Sequence, residues 1–450
     1  MSTSSALSSI SGSTSSGNFN AQQYVQSIIQ SEEGPELLMQ QQVSTLSDQA
    51  TALGSISSQL SSLQTAVLAL NDFQGALDAN QVSSSNAGVA TGTADSTATA
   101  GTHSLVVSNL ATTSSEYSNT LATGDTTFAT GSFTLAVGSN PGTVITVDSS
   151  DDTLNGLASA INAQGLGVTA SVITDANGAR LSLVSGSSGA PGNLTLSSNT
   201  TGLTFTQAVA GTNANFTLDG IALSSTSNTV SDVLPGLTID LAGTSASPVT
   251  LTVSPDTSQA TTAIQNFVSA YNTVVQGLNA QFTYDPSTQS TGPLGSDQTI
   301  MELQQNILSD ASFSISGNSG VTNLAAIGIS MNEDGTLSLD TSTLSAAMAS
   351  NYSAVQNLFQ QTSPTGFAQN FANDLSNLTD PASGPIALDQ QGITLSTNDL
   401  NQQITDFQTN LNAQEQQLMQ VYSQVAATIE EMPGMVSQTQ SELGSLGTTG

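Results

Sequence analysis

The sequence predicts a multi-domain α+β protein: terminal helical coiled segments and a helical bundle, with mainly β domains inserted between them. Three observations lead there. Apolar residues near both ends of the 450-residue chain recur at alternating three- and four-residue steps, the spacing of a helix that seats one stripe against a partner. Between those ends the period falls to two, in a stretch rich in Val, Thr, Ser and Gly, as half-buried strands require. The length also exceeds what one core organises, at about 100 to 200 residues per domain.

The elements follow in chain order. Residues 1–34 read as a disordered start, Ser-, Thr- and Gly-rich, followed by a short helix from Gln22 to Gln30 that Gly34-Pro35 interrupts. That start has neither a basic end nor an apolar core, so no Sec signal peptide is expected. Residues 35–81 carry the first long helix, with Glu36 in its first turn where the helix dipole favours an anion. Its seam runs Leu46, Ala50, Leu53, Ile56, Leu60, Leu63, Val67 and Leu70, with one break in phase between Leu53 and Ile56.

Residues 82–256 form the β insertion, read as two domains. Strands are expected at Ser104–Ser108, Ser132–Val137, Val144–Val147, Val168–Ile173, Arg180–Val184, Leu194–Ser197, Asn215–Leu218, Leu237–Leu241 and Val249–Val253. Asp175-Ala-Asn-Gly178 marks a hairpin turn. One helix, Thr153–Ala163, breaks the pattern, with Leu154, Leu157, Ala158 and Ile161 on one face. Residues 257–397 return to helix. Ala260, Ile264, Phe267, Val268, Tyr271, Val275 and Leu278 make the first stripe. Helices follow at Thr299–Asp310, Thr341–Met348 and Ala354–Gln360, with a hairpin between Ile327 and Leu339. Residues 398–450 carry the last helix, from about Asn398 to Met432, and then a disordered tail after Pro433-Gly434. Its seam is Leu400, Ile404, Phe407, Leu411, Leu418, Val421 and Val425, with Gln414 in one position. These seam residues and those from Leu53 to Leu70 are the candidate oligomerisation sites, and an antiparallel pairing of the two ends satisfies both seams.

Composition narrows the function classes. Asp and Glu number 33 against a single Lys or Arg, for a net charge of −32, and a surface with one cation cannot neutralise the phosphates of nucleic acid. Anionic membrane surfaces are excluded on the same ground, and no stretch is long and apolar enough for membrane insertion. Charged residues are only 8% of the chain, so its polar surface is mainly Ser, Thr, Asn and Gln. With no Cys and one His, thiol chemistry and His-built zinc sites are absent, and no cofactor is expected. No Gly-x-Ser-x-Gly elbow has a His to serve it, so an enzyme is not expected. The lone cation, Arg180, reads as a structural partner for Asp175 or Asp219 ahead of an exposed strand residue. His103 reads as structural or solvent-facing. Asp148, Asp151 and Asp152 match no calcium loop and read as a solvated turn and helix cap.

Several segments in order resemble the filament-capping (hook-associated protein 2) family of bacterial flagella. They are Gly17-Asn-Phe-Asn-Ala-Gln-Gln-Tyr-Val-Gln-Ser-Ile-Ile29; Leu154-Asn-Gly-Leu-Ala-Ser-Ala-Ile-Asn162 with Gly165-Leu-Gly-Val-Thr-Ala-Ser-Val172 and Leu181-Ser-Leu183; Asn215-Phe-Thr-Leu-Asp-Gly220 with Asn228-Thr-Val-Ser-Asp-Val-Leu-Pro-Gly-Leu-Thr238; and Gly328-Ile329 with Asp334-Gly-Thr-Leu-Ser-Leu339. The second group is similar to the Ile-Asn repeat of flagellins and cap proteins. The resemblance implies a secreted, homo-oligomeric plate at the filament tip, beneath which flagellin folds and inserts. It implies export by the flagellar type III apparatus, and flagellin, the hook-filament junction protein and an export chaperone as partners. Where the family carries Lys and Arg in its coiled segments, this chain has Gln, Ser and Asn. A surface adhesin for mucins or glycans, and flagellin or a hook-filament junction protein, are the rival readings.

Overall fold

The computed structural model describes residues 20–287, 289–362 and 365–446. These divide into two compact units. One takes the described residues up to Leu68, Gln265–Asp340 and those from Gln361 onward; the other takes Ala69–Ile264 and Thr341–Gln360.

The first unit is helical. Helix α1 (Ala21–Glu32) is N-capped by Asn20, whose side chain accepts from the Gln23 amide at 3.2 Å, as short polar residues do for the orphan amides of a first turn. Helix α2 (Gly34–Leu70) follows after a single residue. Leu53, Ile56, Leu60, Leu63, Val67 and Leu70 on it are all buried, and burying each such side chain is worth about 1.5–3 kcal/mol. The break in phase expected here does not occur. Ala50 is exposed and Gln49 is half-buried, donating to the Pro293 carbonyl at 3.2 Å, so the seam runs unbroken through 46, 49, 53, 56 and 60. A polar side chain with a partner fills the position that an apolar search passes over.

The other helices of this unit are α4 (Thr257–Phe282, whose first residues belong to the second unit), α5 (Gln298–Ala311), α7 (Phe367–Leu378) and α8 (Pro385–Leu446). All seven expected stripe residues of α4 are buried. A Cβ on Gly277 of α4 would lie 2.3 Å from Gln59 Oε1 of α2, so glycine is what allows this close approach. Helix α7 was not expected, although Phe367, Phe371 and Leu375 recur at helical spacing and are fully buried. Its rings stack edge-on with α4, with Phe267 and Phe367 centroids 5.5 Å apart. Helix α8 begins at Pro385 rather than Asn398 and continues through Pro433 to Leu446. The expected stop and disordered tail after Met432 are therefore replaced by helix as far as Leu446; residues 447–450, and 1–19 at the other end, lie outside the described residues.

The second unit is mainly β, with every strand pairing antiparallel. The chain enters by β1 (Asn80–Ser84), β2 (Ala90–Ala94) and β3 (Gly101–Asn109) and returns by β11 (Ala214–Leu218), β12 (Ile221–Ser225), β13 (Thr229–Leu234), β14 (Leu237–Leu241) and β15 (Val249–Pro255). These make one sheet in the order β1-β15-β3-β11-β12 and another in the order β13-β14-β2, which share a core around Val107, Phe216, Ile239 and Leu251. The intervening chain builds a second core. Its strands are β4 (Thr113–Ser118), β5 (Gly131–Val137), β6 (Thr143–Val147), β7 (Val168–Asp175), β8 (Gly178–Ser188), β9 (Leu194–Ser197) and β10 (Phe205–Val209), with helix α3 (Leu154–Ala163). Phe133, Leu157, Ile161, Leu181 and Leu183 meet there. All nine expected strands are present. Thr153 N-caps α3, accepting from the Gly156 amide at 3.1 Å.

The β7–β8 hairpin turns at the expected place, with Asp175 opposite Gly178. Gly178 has φ +127°, and a Cβ there would sit 2.2 Å from the Leu121 carbonyl oxygen, so no side chain fits. Helix α6 (Thr341–Gln360) is interrupted at Asn351, which has φ −158° and ψ 77°, matching the two separate helices expected. It clamps the loop after α2: Tyr352 donates to the Leu77 carbonyl at 3.0 Å, and Gln356 and Gln360 donate to the two oxygens of Asp78. A short hairpin, β16 (Ile329–Met331) with β17 (Leu337–Leu339), belongs to the helical unit.

Candidate assembly surface

No group of three or more His, Cys, Asp or Glu side chains placed to hold a metal ion occurs among the described residues. The most developed surface is built by α1 and α8. They run antiparallel: Tyr24 meets Tyr422 edge-on at 4.9 Å between centroids, while earlier on α8 Gln408 donates at 2.6 Å to Oε1 of Glu36, in the first turn of α2 just past the end of α1. A polar cleft of about 450 Å³ opens between them, lined by Gln26, Glu33, Asn412 and Glu415 among others.

The candidate seam residues divide by burial. Those of α2, Leu53 to Leu70, are enclosed within the chain. On α8, Leu400 and Leu411 are buried, and Ile404, Phe407 and Leu418 are half-buried. Val421 and Val425 stay 49% and 40% exposed, and the side chain that faces α1 at that level is Tyr422. Beyond it Ile429, Met432, Val436 and Leu443 continue the exposed apolar stripe, stepping from Val425 by four, three, four and seven residues. That is the spacing of a coiled-coil seam, and it extends the one expected from the sequence, which ends at Val425.

Electrostatics set this surface apart from salt-bridged interfaces. The helical unit contains no Lys, Arg or His at all, since Arg180 and His103 both belong to the β unit. Polar contacts along the long helices are instead Gln to Glu or Gln to Asp, such as Gln40 to Glu36 at 2.8 Å and Gln403 to Asp399 at 2.8 Å.

In the β unit His103 and Arg180 each have a specific neighbour. His103 Nδ1 lies 2.8 Å from Asp219 Oδ2, and Asp219 also accepts from the Ser104 amide at 2.8 Å. These hydrogen bonds, His103 first, hold the Asp219 carboxyl below its ordinary range. Asp175 accepts from its own turn at the Asn177 amide. Arg180 pairs with neither: its guanidinium carbon lies 5.6 Å from the Tyr117 ring centroid, a cation–π distance. Asp148 and Asp151 hold each other's turn, with the Asp148 amide donating to Asp151 Oδ1 at 2.7 Å.

Comparison with known proteins covers nearly the whole chain. Residues 17–114 match the N-terminal model and residues 211–434 the C-terminal model of flagellar hook-associated protein 2, and residues 132–187 match the flagellin hook IN motif. The chain is 32% identical to the B-type flagellar hook-associated protein 2 of Pseudomonas aeruginosa, covering 89% of this chain and 90% of that protein. It is 27% identical to the flagellar hook-associated protein 2 of Escherichia coli K12, over 85% of this chain and 87% of that one. The crystal structure of the D1-D2-D3 domains of the flagellar cap protein FliD from Escherichia coli superposes with a TM-score of 0.61 at 28% identity, covering 76% of this chain and 99% of that one.

Proposed function

Because the chain belongs to the flagellar hook-associated protein 2 family, we propose that it caps the growing tip of a bacterial flagellar filament. Copies of the chain form a plate outside the cell, and exported flagellin folds and inserts beneath it instead of escaping into the medium. The β insertion, residues 82–256, is the exposed part of the plate, and the terminal helices are its anchor. The observation that carries this reading is the extent of the likeness, which takes in helical ends and β insertion together.

The seam residues then take two roles. Leu53, Ile56, Leu60, Leu63, Val67 and Leu70, with Leu400 to Leu418, hold the subunit together. Val421, Val425 and the stripe beyond them meet a neighbouring subunit. Apolar and Gln-rich contacts suit a chain of net charge −32, because with a single Lys or Arg it has almost no positive charge to set against the carboxylates of a like subunit. Flagellin, the hook-filament junction protein and an export chaperone are the other partners, and the role is structural rather than catalytic. Immunogold labelling tests the placement: antibody against the β insertion should mark one site, the distal end of each filament. Label along the shaft would indicate a flagellin-like role, and label at the base a junction role.

A further inference from the structure

Strand β12 ends its sheet, and no strand lies beyond it among the described residues. Asp219 and Gly220, which turn the chain from β11 into β12, have φ +52° and +81°, the two left-handed residues of a type I′ hairpin. Leu218 and Ile221 flank that turn as directly opposed residues. They form its first hydrogen-bonded pair, after which bonded and unbonded pairs alternate. Ile221, Leu223 and Ser225 thus direct their amides and carbonyls to β11. Ala222 and Ser224 turn theirs outward, and both residues are exposed. The turn is held in place, because Asp219 is tied to β3 by His103 and by the Ser104 amide.

Open edges are commonly closed by a charge, a proline, a bulge or a covering group, and the β unit uses such devices elsewhere. Asn162 occupies the amide and carbonyl of Ala170 on β7. Strand β10 shifts register between Gln207 and Val209, and β13 between Val230 and Leu234, a span that includes Asp232. Strand β12 has none of these. Its five pairs with β11 run without a shift, and Gly220 to Ser231 contains neither a charged residue nor a proline. Leu223 packs at the margin of the core around Phe216, and Ile221 stays 64% exposed.

We propose that β12 takes up an extended segment of an unfolded polypeptide as an added strand. Main-chain bonds to Ala222 and Ser224 hold it. Apolar side chains at every second position cover Ile221 and Leu223, and the polar ones between them face water. The segment is free of acidic residues, because a chain of net charge −32 repels them. A second copy of this chain suits the edge poorly, since it brings like charge. The edge is also only about 17 Å long, at about 3.4 Å per residue, too short to bury the roughly 800 Å² per partner of a lasting contact between folded subunits. An unfolded segment needs only brief capture. Its assignment to flagellin on the way to folding rests on the capping role, whereas the strand addition does not.

Hydrogen exchange of the full chain tests this with a synthetic peptide of alternating valine and threonine, with lysine at each end. The peptide should protect the Ala222 and Ser224 amides and leave the core around Phe133 and Leu181 unchanged. The same peptide methylated at its backbone nitrogens should protect neither amide. Proline is tolerated on an edge strand whose amide faces outward, so Ala222→Pro should fold. With one donor lost and the ring in the path of the incoming strand, it should need about tenfold more peptide to protect Ser224. Protection that survives methylation of the peptide, or that Ala222→Pro leaves intact, would overturn the proposal. So would protection in the chain alone that grows with its concentration, which would place a second copy on the edge. Should Ala222→Pro not fold, the two peptides on the wild type decide. Cells separate strand addition from capping. A deletion strain given Ala222→Pro should regain filaments but shed more flagellin than one given the wild-type chain. Filaments without extra shedding would remove flagellin as the guest, whereas no filaments with the wild-type chain would refute the cap instead.

Discussion

Asn162 brackets Ala170: its side-chain amide donates to the Ala170 carbonyl and accepts from the Ala170 amide, each at 2.8 Å. The residue beside it, Ile161, is fully buried in the second β core. The Ile-Asn pair thus joins α3 to β7 by one apolar anchor and two backbone bonds. Asn162→Ala leaves the Ala170 amide and carbonyl, both shielded from water, without partners. A loss of about 1–3 kcal/mol is expected, measured as a lower urea midpoint for the β unit. Asn162→Asp should not restore it, because a carboxylate accepts from the amide but repels the carbonyl.

The Tyr24–Tyr422 contact makes a second prediction. An edge-on aromatic pair is worth about 0.5–1.5 kcal/mol beyond its burial, so Tyr422→Ala should raise the opening rate of α1 roughly two- to tenfold. Hydrogen exchange checks this: faster exchange over Ala21–Glu32, with both β cores unchanged, is the expected pattern. Unaltered exchange in α1 would mean that Leu411 and its neighbours hold the helix without the rings.

Much of this fold was legible because most strands and helices bury apolar side chains at their natural period. The α4 stripe and β3, β5, β7, β8, β14 and β15 are of that kind. Strand β4 was not legible because it turns Ser114, Glu116 and Ser118 inward. Two of these are satisfied by neighbouring backbone, Ser118 Oγ accepting from the Leu181 amide at 2.9 Å and Ser114 Oγ from the Leu194 amide at 3.0 Å. An apolar alternation search cannot see a strand whose inward face is polar but hydrogen-bonded. Strands β1 and β2 escaped in a similar way, with at most one large apolar residue each to mark an inward face. Helix α8 extends beyond its expected span at both ends. Pro385 is the first helical residue, where its missing N–H costs nothing, and Pro433 removes one bond within a helix that continues on either side. Of the candidate surface, the seam up to Val425 could be read directly.

Assembly should respond to salt in the sense opposite to a salt-bridged interface. Repulsion between acidic subunits is screened over about 10 Å at 0.1 M salt, whereas burial of Val425, Ile429, Met432 and Val436 is not. Sedimentation velocity should show association strengthening with added salt, and again as pH falls toward the carboxylate range near about 4. Ile429→Asp together with Val436→Asp should abolish association and leave the circular dichroism of the subunit unchanged. Oligomers that dissociate with added salt would contradict a seam-based contact and point to bound cations instead.

The most direct measurement is a clean deletion of this gene in the bacterium that carries it, scored for filaments by electron microscopy and for flagellin in the culture medium. A cap acts after export, so the deletion strain should lack filaments while shedding monomeric flagellin, and the full-length chain supplied in trans should restore filaments. Filaments of normal length in the deletion strain, or no flagellin in either cells or medium, would contradict a tip cap.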